Sequence, residues 1–403
     1  MSRKTIYLDN AATSWPKPPA VAESITHFLA EGAGNPGRAG HRMSVAAMRV
    51  VERLRERLAS LINAGAPERI VFTLNCTDGL NLAIHGIAAA QRVSRRQSPG
   101  APLPRVVTSV LEHNAVSRPL ETLAERGEIE LVRVECDANG FISPDAVLGA
   151  CSESTVLVAL AHAGNVLGSI QPIAQVGRKL RATVPGALFL VDAAQSAGSI
   201  PIEVESMAID LLAISGHKAL LGPMGAGALY IGARAYDTSR GVERILPVRH
   251  GGTGGDSASA LQPRELPHAF EAGTPPSAAL AGWLAAMEHV DLGRIEHERL
   301  MAQQIIDHYS SGGRVRVPGP PMVQRTPIVS LAIEGVNPVE AAAVLDEAFS
   351  IAVRAGLDCA PGAHRALGTF PAGMLRISPG PFTTAEDIES FISAFDRVLA
   401  SMR

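Results

Sequence analysis

The sequence predicts an α/β protein with a large domain built on a mixed, mostly parallel sheet and a smaller α+β domain. The chain has 403 residues, more than the roughly 250–300 at which a single hydrophobic core stops growing. Its 46% hydrophobic and 19% charged residues are typical of a globular protein, which excludes a disordered or collagen-like chain. Short apolar runs alternate with longer helical patterns, and this alternation is typical of a parallel sheet.

The strands of the large domain are predicted from short apolar runs. They cover residues 69–72, 105–109, 129–134, 155–159, 187–191 and 210–214. Most of these runs are apolar throughout, so we expect the sheet to be buried on both faces and covered by helices. Helical spacing of apolar residues predicts helices over residues 44–62, 80–90 and 172–181.

Two stretches rich in Gly and Pro interrupt this pattern. Residues 92–105 are interpreted as a solvated connector, and a composition shift over residues 248–276 precedes a helical stretch from 277 to about 308. The smaller domain then shows strand-like runs and two helices. The runs cover residues 328–333, 351–354 and 375–378, one helix begins at Pro338, and Thr384 and Asp387 open the closing helix as a variant capping box.

These patterns also predict the domain limits. The large domain is placed at residues 16–284 and the small domain at residues 285–403. Residues 1–15 are expected to pack against the small domain.

Charge and hydropathy exclude several kinds of partner. Lysine plus arginine total 36 and aspartate plus glutamate total 39, so the formal charge of −3 provides no basic field for a nucleic acid. The longest near-continuous apolar run, residues 278–287, is shorter than the roughly 20 residues that span a bilayer. Residues 1–10 do not resemble a signal peptide. We therefore expect a cytoplasmic protein that binds neither nucleic acid nor membrane.

The sequence predicts no metal site. Cys76, Cys136, Cys151 and Cys359 are separated by 60, 15 and 208 residues, which fits neither a zinc knuckle nor a secreted disulfide framework. Residues 297–298 read His-Glu, but residue 301 is Met and not the second histidine of a zinc helix. The glycines of residues 222–227 lack the ending of a phosphate loop, so a hairpin is predicted there.

Polar residues follow five of the predicted strands. Ligands of open α/β sheets bind at the carboxyl ends of the strands, so these residues are candidates for one shared site. The clusters are Leu74-Asn75-Cys76-Thr77-Asp78-Gly79, Glu112-His113-Asn114, His162-Ala163-Gly164-Asn165, Asp192-Ala193-Ala194-Gln195 and Ser215-Gly216-His217-Lys218. The first cluster precedes a helical pattern. A free hydroxyl at the N-terminus of a helix suits a phosphate, but Thr or Asp at this position can equally be an ordinary N-cap.

Lys218 narrows the class of reaction. The chain has only four lysines against 32 arginines, so chemistry that needs a primary amine has few candidates. Lys4 lies in the N-terminal segment, Lys17 lies between two prolines and Lys179 lies on an amphipathic helix. Only Lys218 follows a buried strand, where a desolvated amine can form a Schiff base. Asp192, on another strand end, can hold a pyridine nitrogen protonated. Together they predict the cofactor pyridoxal 5′-phosphate.

Eight ordered segments resemble those of a known family. The segments are Tyr7-Leu8-Asp9-Asn10-Ala11-Ala12-Thr13, Cys76-Thr77-Asp78-Gly79-Leu80-Asn81, Glu112-His113-Asn114-Ala115, Asn165-Val166-Leu167-Gly168, Asp192-Ala193-Ala194-Gln195, Ser215-Gly216-His217-Lys218, Phe270-Glu271-Ala272-Gly273-Thr274-Pro275 and Arg354-Ala355-Gly356-Leu357-Asp358-Cys359-Ala360. The sequence is similar to class V aminotransferase-fold enzymes, and within them it resembles the cysteine desulfurase and selenocysteine lyase group. The resemblance implies fold type I of the pyridoxal-phosphate enzymes, which is aspartate aminotransferase-like.

The resemblance also implies roles for single residues around the cofactor. Lys218 is implied to carry the cofactor, His113 to stack on its ring and Asp192 to pair with the ring nitrogen. Asn165 and Gln195 are implied to lie near the ring and its O3′. The phosphate is implied to bind the hydroxyl and imidazole groups of Thr77, Ser215 and His217. Cys76 is included among the cofactor-binding residues, although the family often has a small hydroxyl residue or alanine at that position.

Further roles concern the substrate and the second subunit. Arg376 is implied to bind the substrate carboxylate, as the bidentate geometry of arginine favours, with Arg354 and Asn165 in support. Cys359 is implied to be the nucleophile. The family forms homodimers, and Thr274 is implied to reach the cofactor phosphate of the other subunit.

These residues predict a cysteine desulfurase that converts L-cysteine to L-alanine and stores the sulfur on Cys359 as a persulfide. The alternatives are a selenocysteine or cysteine C–S lyase, a class V aminotransferase in which Cys359 is idle, and a non-catalytic protein on the same fold. Two segments, Phe382-Thr383-Thr384 and Cys359-Ala360-Pro361-Gly362-Ala363-His364, depart from the usual family pattern. They leave the physiological substrate open, and the sequence alone does not identify the sulfur acceptor.

Overall fold

The computed structural model describes residues 4–37, 40–98, 100–253 and 258–402. The predicted connector, the glycine-rich stretch and both ends of the chain extend in part over residues outside these ranges. The strands are β1 (Ile6–Tyr7), β2 (Ile70–Thr73), β3 (Arg105–Ser109), β4 (Glu130–Val134), β5 (Thr155–Ala161), β6 (Leu188–Asp192), β7 (Leu211–Ser215), β8 (Gly227–Ile231), β9 (Tyr236–Asp237), β10 (Val242–Glu243), β11 (Val315–Arg316), β12 (Val329–Ile333), β13 (Ile351–Ala352), β14 (Arg354–Gly356) and β15 (Met374–Ile377).

The α-helices lie on both faces of the main sheet and around the smaller one. They are α1 (Pro19–His27), α2 (Arg42–Leu61), α3 (Cys76–Gln97), α4 (Asn114–Glu125), α5 (Pro144–Ala150), α6 (Ile173–Thr183), α7 (Ser277–Met287), α8 (Arg294–Tyr309), α9 (Pro338–Phe349), α10 (Pro361–Ala366) and α11 (Ala385–Ser401). Helix α2 buries Ala47, Val51, Leu54 and Leu58 along one side, so its predicted amphipathic face is confirmed.

The main sheet has seven strands in the order β2-β8-β7-β6-β5-β3-β4. Strand β8 is antiparallel to both its neighbours, β2 and β7, and the other paired strands are parallel. The predicted mixed, mostly parallel sheet is therefore confirmed, and the six predicted strands are observed within two residues of their expected bounds. Strand β8 was not predicted as a strand. It forms the second arm of the hairpin predicted at residues 222–227 and is entirely buried.

Two helical boundaries differ from the prediction. Helix α3 continues to Gln97, so residues 92–97 of the predicted connector are helical. The first proline of that segment is residue 99, and arginine and glutamine favour a helix until it is reached. The helical stretch predicted from residue 277 is divided into α7 and α8. The break contains a turn in which the Gly293 N–H donates to the Asp291 carboxylate at 2.8 Å.

The smaller sheet is antiparallel, in the order β11-β12-β15-β14. Its own core includes Leu8 from the N-terminal segment together with Leu331, Leu375 and Phe391. Strand β1, in the N-terminal segment, pairs in parallel with β13, the strand that precedes β14. The predicted limit at residues 284 and 285 falls inside α7, and the domain limits stay a prediction. Among the described residues, no helix combines the length and apolar character needed to cross a membrane.

Candidate active site

A cavity of about 270 Å³ lies at the carboxyl ends of the parallel strands, as the strand-end clusters predict. Strands β2, β3, β5, β6 and β7 each end at this edge, and the polar residues that follow them converge there. Nine of the predicted cofactor residues line the cavity: Cys76, Thr77, His113, Asn165, Asp192, Gln195, Ser215, His217 and Lys218. The structure therefore brings together residues from five separate clusters of the sequence.

Lys218 lies in the turn that follows β7, and this turn is held by close packing against a tryptophan. A Cβ atom at Gly216 or Gly222 would lie 3.0 or 2.6 Å from the ring of Trp283 in α7, so only glycine fits at either position. Burial lowers the pKa of Lys218, while the nearby Asp192 acts in the opposite direction. A lowered pKa increases the neutral, nucleophilic fraction of the amine.

A second lysine lies close to this turn. The Lys17 Nζ atom donates to Ser14 Oγ and to the backbone oxygen of His217, both at 2.7 Å. Burial lowers its pKa to about 8. The amine is thus occupied by two acceptors behind the turn, whereas Lys218 lines the cavity itself.

Asp192 ends strand β6 with its carboxylate fixed by two donors on one oxygen. Oδ1 accepts from the Ala194 N–H at 2.9 Å and from the Cys76 thiol at 3.4 Å. Burial, and then the charge of Asp192, raises the pKa of Cys76 well above its usual value, so this thiol stays protonated and donates. Cys76 therefore contacts the carboxylate predicted to face the ring nitrogen.

The end of the cavity where the phosphate is predicted to bind contains polar atoms that lack partners among the described residues. Ser215 Oγ and His217 Nδ1 are buried and make no hydrogen bond with the described residues. Burial also lowers the pKa of His217 to about 4. Helix α3 begins beside them, and its N-cap is Asn75, whose side chain accepts from the Asp78 N–H at 2.9 Å. The Thr77 hydroxyl is therefore not used as the cap. Unpaired donors at a helix N-terminus fit a phosphate.

His113 closes another side of the cavity. It is the N-cap of α4, and its Nδ1 accepts from the Ala115 N–H at 3.0 Å, which fixes the ring orientation. Burial lowers the pKa of His113, so the neutral imidazole is favoured. A neutral flat ring suits stacking on a heteroaromatic ring.

Arg376 lies on β15 and is 2% exposed. Its Nη1 donates to the backbone oxygen of Asn165 at 2.9 Å, and its Nη2 donates to Asp9 Oδ1 at 2.9 Å. Nη1 also lies 3.4 Å from Asp358 Oδ1. The contact with Asn165, which lines the cavity, places the guanidinium at the cavity margin.

Cys359 is exposed and belongs to the Cys359 loop, residues 357–360. The Asn114 N–H, next to His113, donates to the Cys359 backbone oxygen at 2.7 Å. The Arg354 Nη2 atom lies 3.9 Å from the thiol. Asp358 and Cys359 both adopt left-handed backbone angles, with φ of 47° and 57°, which turns the chain sharply at the thiol. Cys359 therefore lies beside the His113 end of the cavity with an arginine next to its sulfur.

Thr274 is absent from this cavity and lines another one, of about 370 Å³. That cavity also contains the ion pair of the buried Arg55 and the half-buried Glu271, whose Nη1 and Oε1 atoms are 2.9 Å apart. Thr274 thus lines no part of the cavity that contains Lys218, and its predicted role in a second subunit stays a prediction.

Sequence reasoning did not identify Asp9, Lys17 or Asp358 as site residues. Asp9 and Asp358 occur in the resembling segments, and each carboxylate lies within 3.4 Å of Arg376. The sequence signal that could have identified Asp358 was the position of an acidic residue directly before Cys359. A pairing with an arginine 18 residues later in the sequence is determined by the packing of the Cys359 loop against β15.

Comparison with known proteins finds a family model and relatives that agree with one another. The family model for aminotransferase class V matches residues 6–391. A probable cysteine desulfurase of Pseudomonas putida is 33% identical, over 98% of this chain and 94% of its own length. A probable cysteine desulfurase of Methanothermobacter thermautotrophicus is 32% identical, over 96% of this chain and 93% of its own length.

Solved structures agree with this assignment. The apo structure of a cysteine desulfurase from Thermococcus onnurineus NA1 superposes with a TM-score of 0.87 at 31% identity, covering 98% of this chain and 95% of that one. A cysteine desulfurase of Escherichia coli in its S-sulfonic acid form superposes with a TM-score of 0.85 at 28% identity, covering 99% and 96% of the two chains. The predicted resemblance and fold class, type I of the pyridoxal-phosphate enzymes, are confirmed. The chain belongs to the class V aminotransferase family.

Proposed function

We propose that the protein is a pyridoxal-phosphate-dependent cysteine desulfurase. L-cysteine and the Cys359 thiol are converted to L-alanine and a Cys359 persulfide, so one sulfur atom moves from the substrate to the enzyme. The observation that carries this proposal is the single cavity that holds Lys218 and Asp192 with Arg376 and Cys359 at its margins. The relatives described above carry the name of this activity.

The residues of the cavity fit both the phosphate and the ring of the cofactor. Ser215, His217, Thr77 and the N-terminus of α3 would hold the phosphate. Asp192, whose Oδ1 is already occupied by two donors, would offer its other oxygen to the ring nitrogen. When bound, pyridoxal phosphate withdraws electrons from the substrate Cα and so eases the loss of its proton.

The protein's own groups then perform the remaining tasks. Arg376 binds the substrate carboxylate and fixes the orientation of Cα. The Lys218 amine, with its lowered pKa, takes the Cα proton and returns a proton to the carbon chain as alanine forms. The Cys359 thiolate attacks the substrate sulfur, and its sulfur–sulfur bond forms as the carbon–sulfur bond breaks. The Arg354 Nη2 atom, 3.9 Å from this sulfur, donates a hydrogen bond to it.

The test is an incubation of the purified protein, loaded with pyridoxal phosphate, with L-cysteine. Alanine, pyruvate, sulfide and protein-bound persulfide are measured together. The proposal expects alanine and persulfide in equal amounts during the first turnover. Pyruvate with sulfide and without persulfide would instead identify a C–S lyase. Amino-group transfer to a keto acid with Cys359 unmodified would identify an aminotransferase.

The proposal includes a homodimer in which Thr274 reaches the cofactor phosphate of the other subunit. Its support is the position of Thr274 outside its own chain's cofactor cavity, in a loop after a glycine-rich stretch. A protein partner that accepts the sulfur and a location in the cytoplasm are parts of the same proposal.

Thr274→Ala is expected to weaken cofactor retention about tenfold or more, because a hydrogen bond to a charged phosphate contributes roughly 1.5–3 kcal/mol. Equilibrium dialysis of pyridoxal phosphate measures this loss, with Thr183→Ala, at an exposed threonine, as control.

Mixing inactive Lys218→Ala and Thr274→Glu proteins after mild dissociation should restore activity, since each mixed dimer contains one complete site. A fully active monomer in light scattering would contradict the shared site.

A further inference from the structure

Asp358, the residue before Cys359, is a buried acid that the proposed reaction does not use. Its side chain has no exposed surface. Its Oδ1 lies 2.8 Å from Arg354 Nε and 3.4 Å from Arg376 Nη1. Arg376 is also paired with Asp9 at 2.9 Å. The arginine expected to bind the substrate carboxylate is therefore already neutralised by two carboxylates of the protein.

The contact between Asp358 and Arg376 is close but poorly aligned. The Arg376 Nη1 atom lies 3.4 Å from Asp358 Oδ1 without forming an aligned hydrogen bond, whereas Arg354 Nε approaches the same oxygen to 2.8 Å. Arg376 Nε has no hydrogen-bond partner among the described residues. Burial raises the pKa of Asp358, with Arg376 and Arg354 acting against this effect. Arginine binds a carboxylate most favourably through two parallel hydrogen bonds. A free carboxylate that offers this geometry can replace Asp358 at Arg376.

The same aspartate is mechanically linked to the nucleophile. Asp358 and Cys359 are consecutive, and Arg354 contacts the carboxylate of the first and the sulfur of the second. The Asn165 Nδ2 atom donates to the Asp358 backbone oxygen at 2.5 Å, and the Asn165 backbone oxygen accepts from Arg376. A change at Arg376 therefore reaches the Cys359 loop by two routes, through Asp358 and through Asn165.

We propose that Asp358 is a positioning residue that competes with the substrate carboxylate for Arg376 and so couples substrate binding to the position of Cys359. The inference rests on the proposed function, because it requires an amino acid substrate. In the free protein Asp358 bridges the two arginines and holds the Cys359 loop against the site. When the substrate carboxylate binds Arg376, Asp358 keeps only Arg354, and the Cys359 loop is released toward the substrate sulfur.

The first test compares Asp358→Asn with the loaded wild-type protein. The amide keeps the shape and removes the competing charge, so the KM for L-cysteine is expected to fall by about tenfold, while kcat changes much less. Asp346→Asn, an exposed aspartate of α9, is the matched control. A merely structural role for Asp358 would not lower KM. An unchanged or raised KM would overturn the proposal.

The second test follows alkylation of Cys359 by iodoacetamide, read by peptide mapping. Saturating L-alanine is expected to accelerate alkylation of the wild-type protein by about twofold or more, because the Cys359 thiol is already exposed and release of its loop lets the reagent approach the sulfur from more directions. In Asp358→Asn the rate should already be high and should not respond to L-alanine. Slower alkylation in both proteins would mean that L-alanine only shields the thiol, and the coupling would be wrong.

The two tests separate this inference from the proposed function. If the wild-type protein forms no alanine from L-cysteine, the proposed reaction fails. The alkylation response to L-alanine still decides whether Asp358 competes for Arg376. If alanine and persulfide form but neither KM nor alkylation responds to Asp358→Asn, the proposed function stands and the competition is overturned.

Discussion

Lys218→Ala is expected to abolish both turnover of L-cysteine and covalent attachment of pyridoxal phosphate. Loss of a general acid–base group alone lowers rates by about 10²–10⁴-fold, and this variant also loses the amine that attaches the cofactor. The cavity offers no replacement, since the amine of Lys17 is held behind the turn by Ser14 and His217. The variant should be colourless after dialysis, because the visible absorption requires the bond between the cofactor and Lys218.

Borohydride reduction followed by peptide mapping measures the attachment. With only four lysines in the chain, the labelled peptide is assigned without ambiguity. Lys179→Ala is the matched control, because Lys179 is half-buried and its amine forms an ion pair with Asp145, at 2.6 Å. Its labelling and activity should equal those of the wild-type protein. An adduct on Lys17 or Lys179, or no adduct at all, would contradict the assignment of Lys218.

Cys359→Ala is expected to remove persulfide formation completely and to leave the absorption spectrum of the bound cofactor nearly unchanged. Cys359 is not among the residues that line the cavity of Lys218, so its loss should not disturb a ring or a phosphate bound there. Alanine formation from L-cysteine should fall to background, because no thiolate accepts the sulfur. Elimination from a substrate with a better leaving group, such as selenocysteine, can persist.

Mass spectrometry of the protein after a single turnover detects the persulfide. Cys151→Ala is the matched control, since Cys151 is half-buried and donates to the Val147 backbone oxygen at 3.3 Å, far along the chain from the site. A persulfide on Cys76 or Cys136, or full desulfurase activity in Cys359→Ala, would assign the nucleophilic role elsewhere.

The strand-end residues could be predicted because they depend on a local pattern. A buried apolar run followed by polar residues identifies Asp192 and Lys218 without knowledge of strand order, since all carboxyl ends of parallel strands meet at one edge. Cys76 was placed in the cavity by the same rule. Its contact with Asp192, 116 residues away in sequence, depends on how α3 is packed and had no local signal.

The acidic surroundings of Arg376 could not be predicted for the same reason. Asp9 lies 367 residues before Arg376 in sequence, and no periodicity connects the two. The sequence pattern identifies Arg376 as an arginine suited to a carboxylate. Its protein partners, Asp9 and Asp358, are brought to it by the pairing of β15 with β12 and β14 and by the bridge between Asp9 and Ser378. The competition proposed for Asp358 is therefore visible only in the folded protein.

Trp283, which packs against the turn that carries Lys218, provides an intrinsic fluorescent reporter. The chain has two tryptophans. Trp283 is fully buried, whereas Trp15 is 50% exposed, so Trp15→Phe isolates the emission of the buried ring. The Trp283 ring packs against Gly216, two residues before Lys218. A chromophore attached to Lys218 would therefore accept excitation energy from this indole, and the emission is expected to fall in proportion to cofactor occupancy. Loading and release of the cofactor can be followed in real time by this quenching, independently of any turnover.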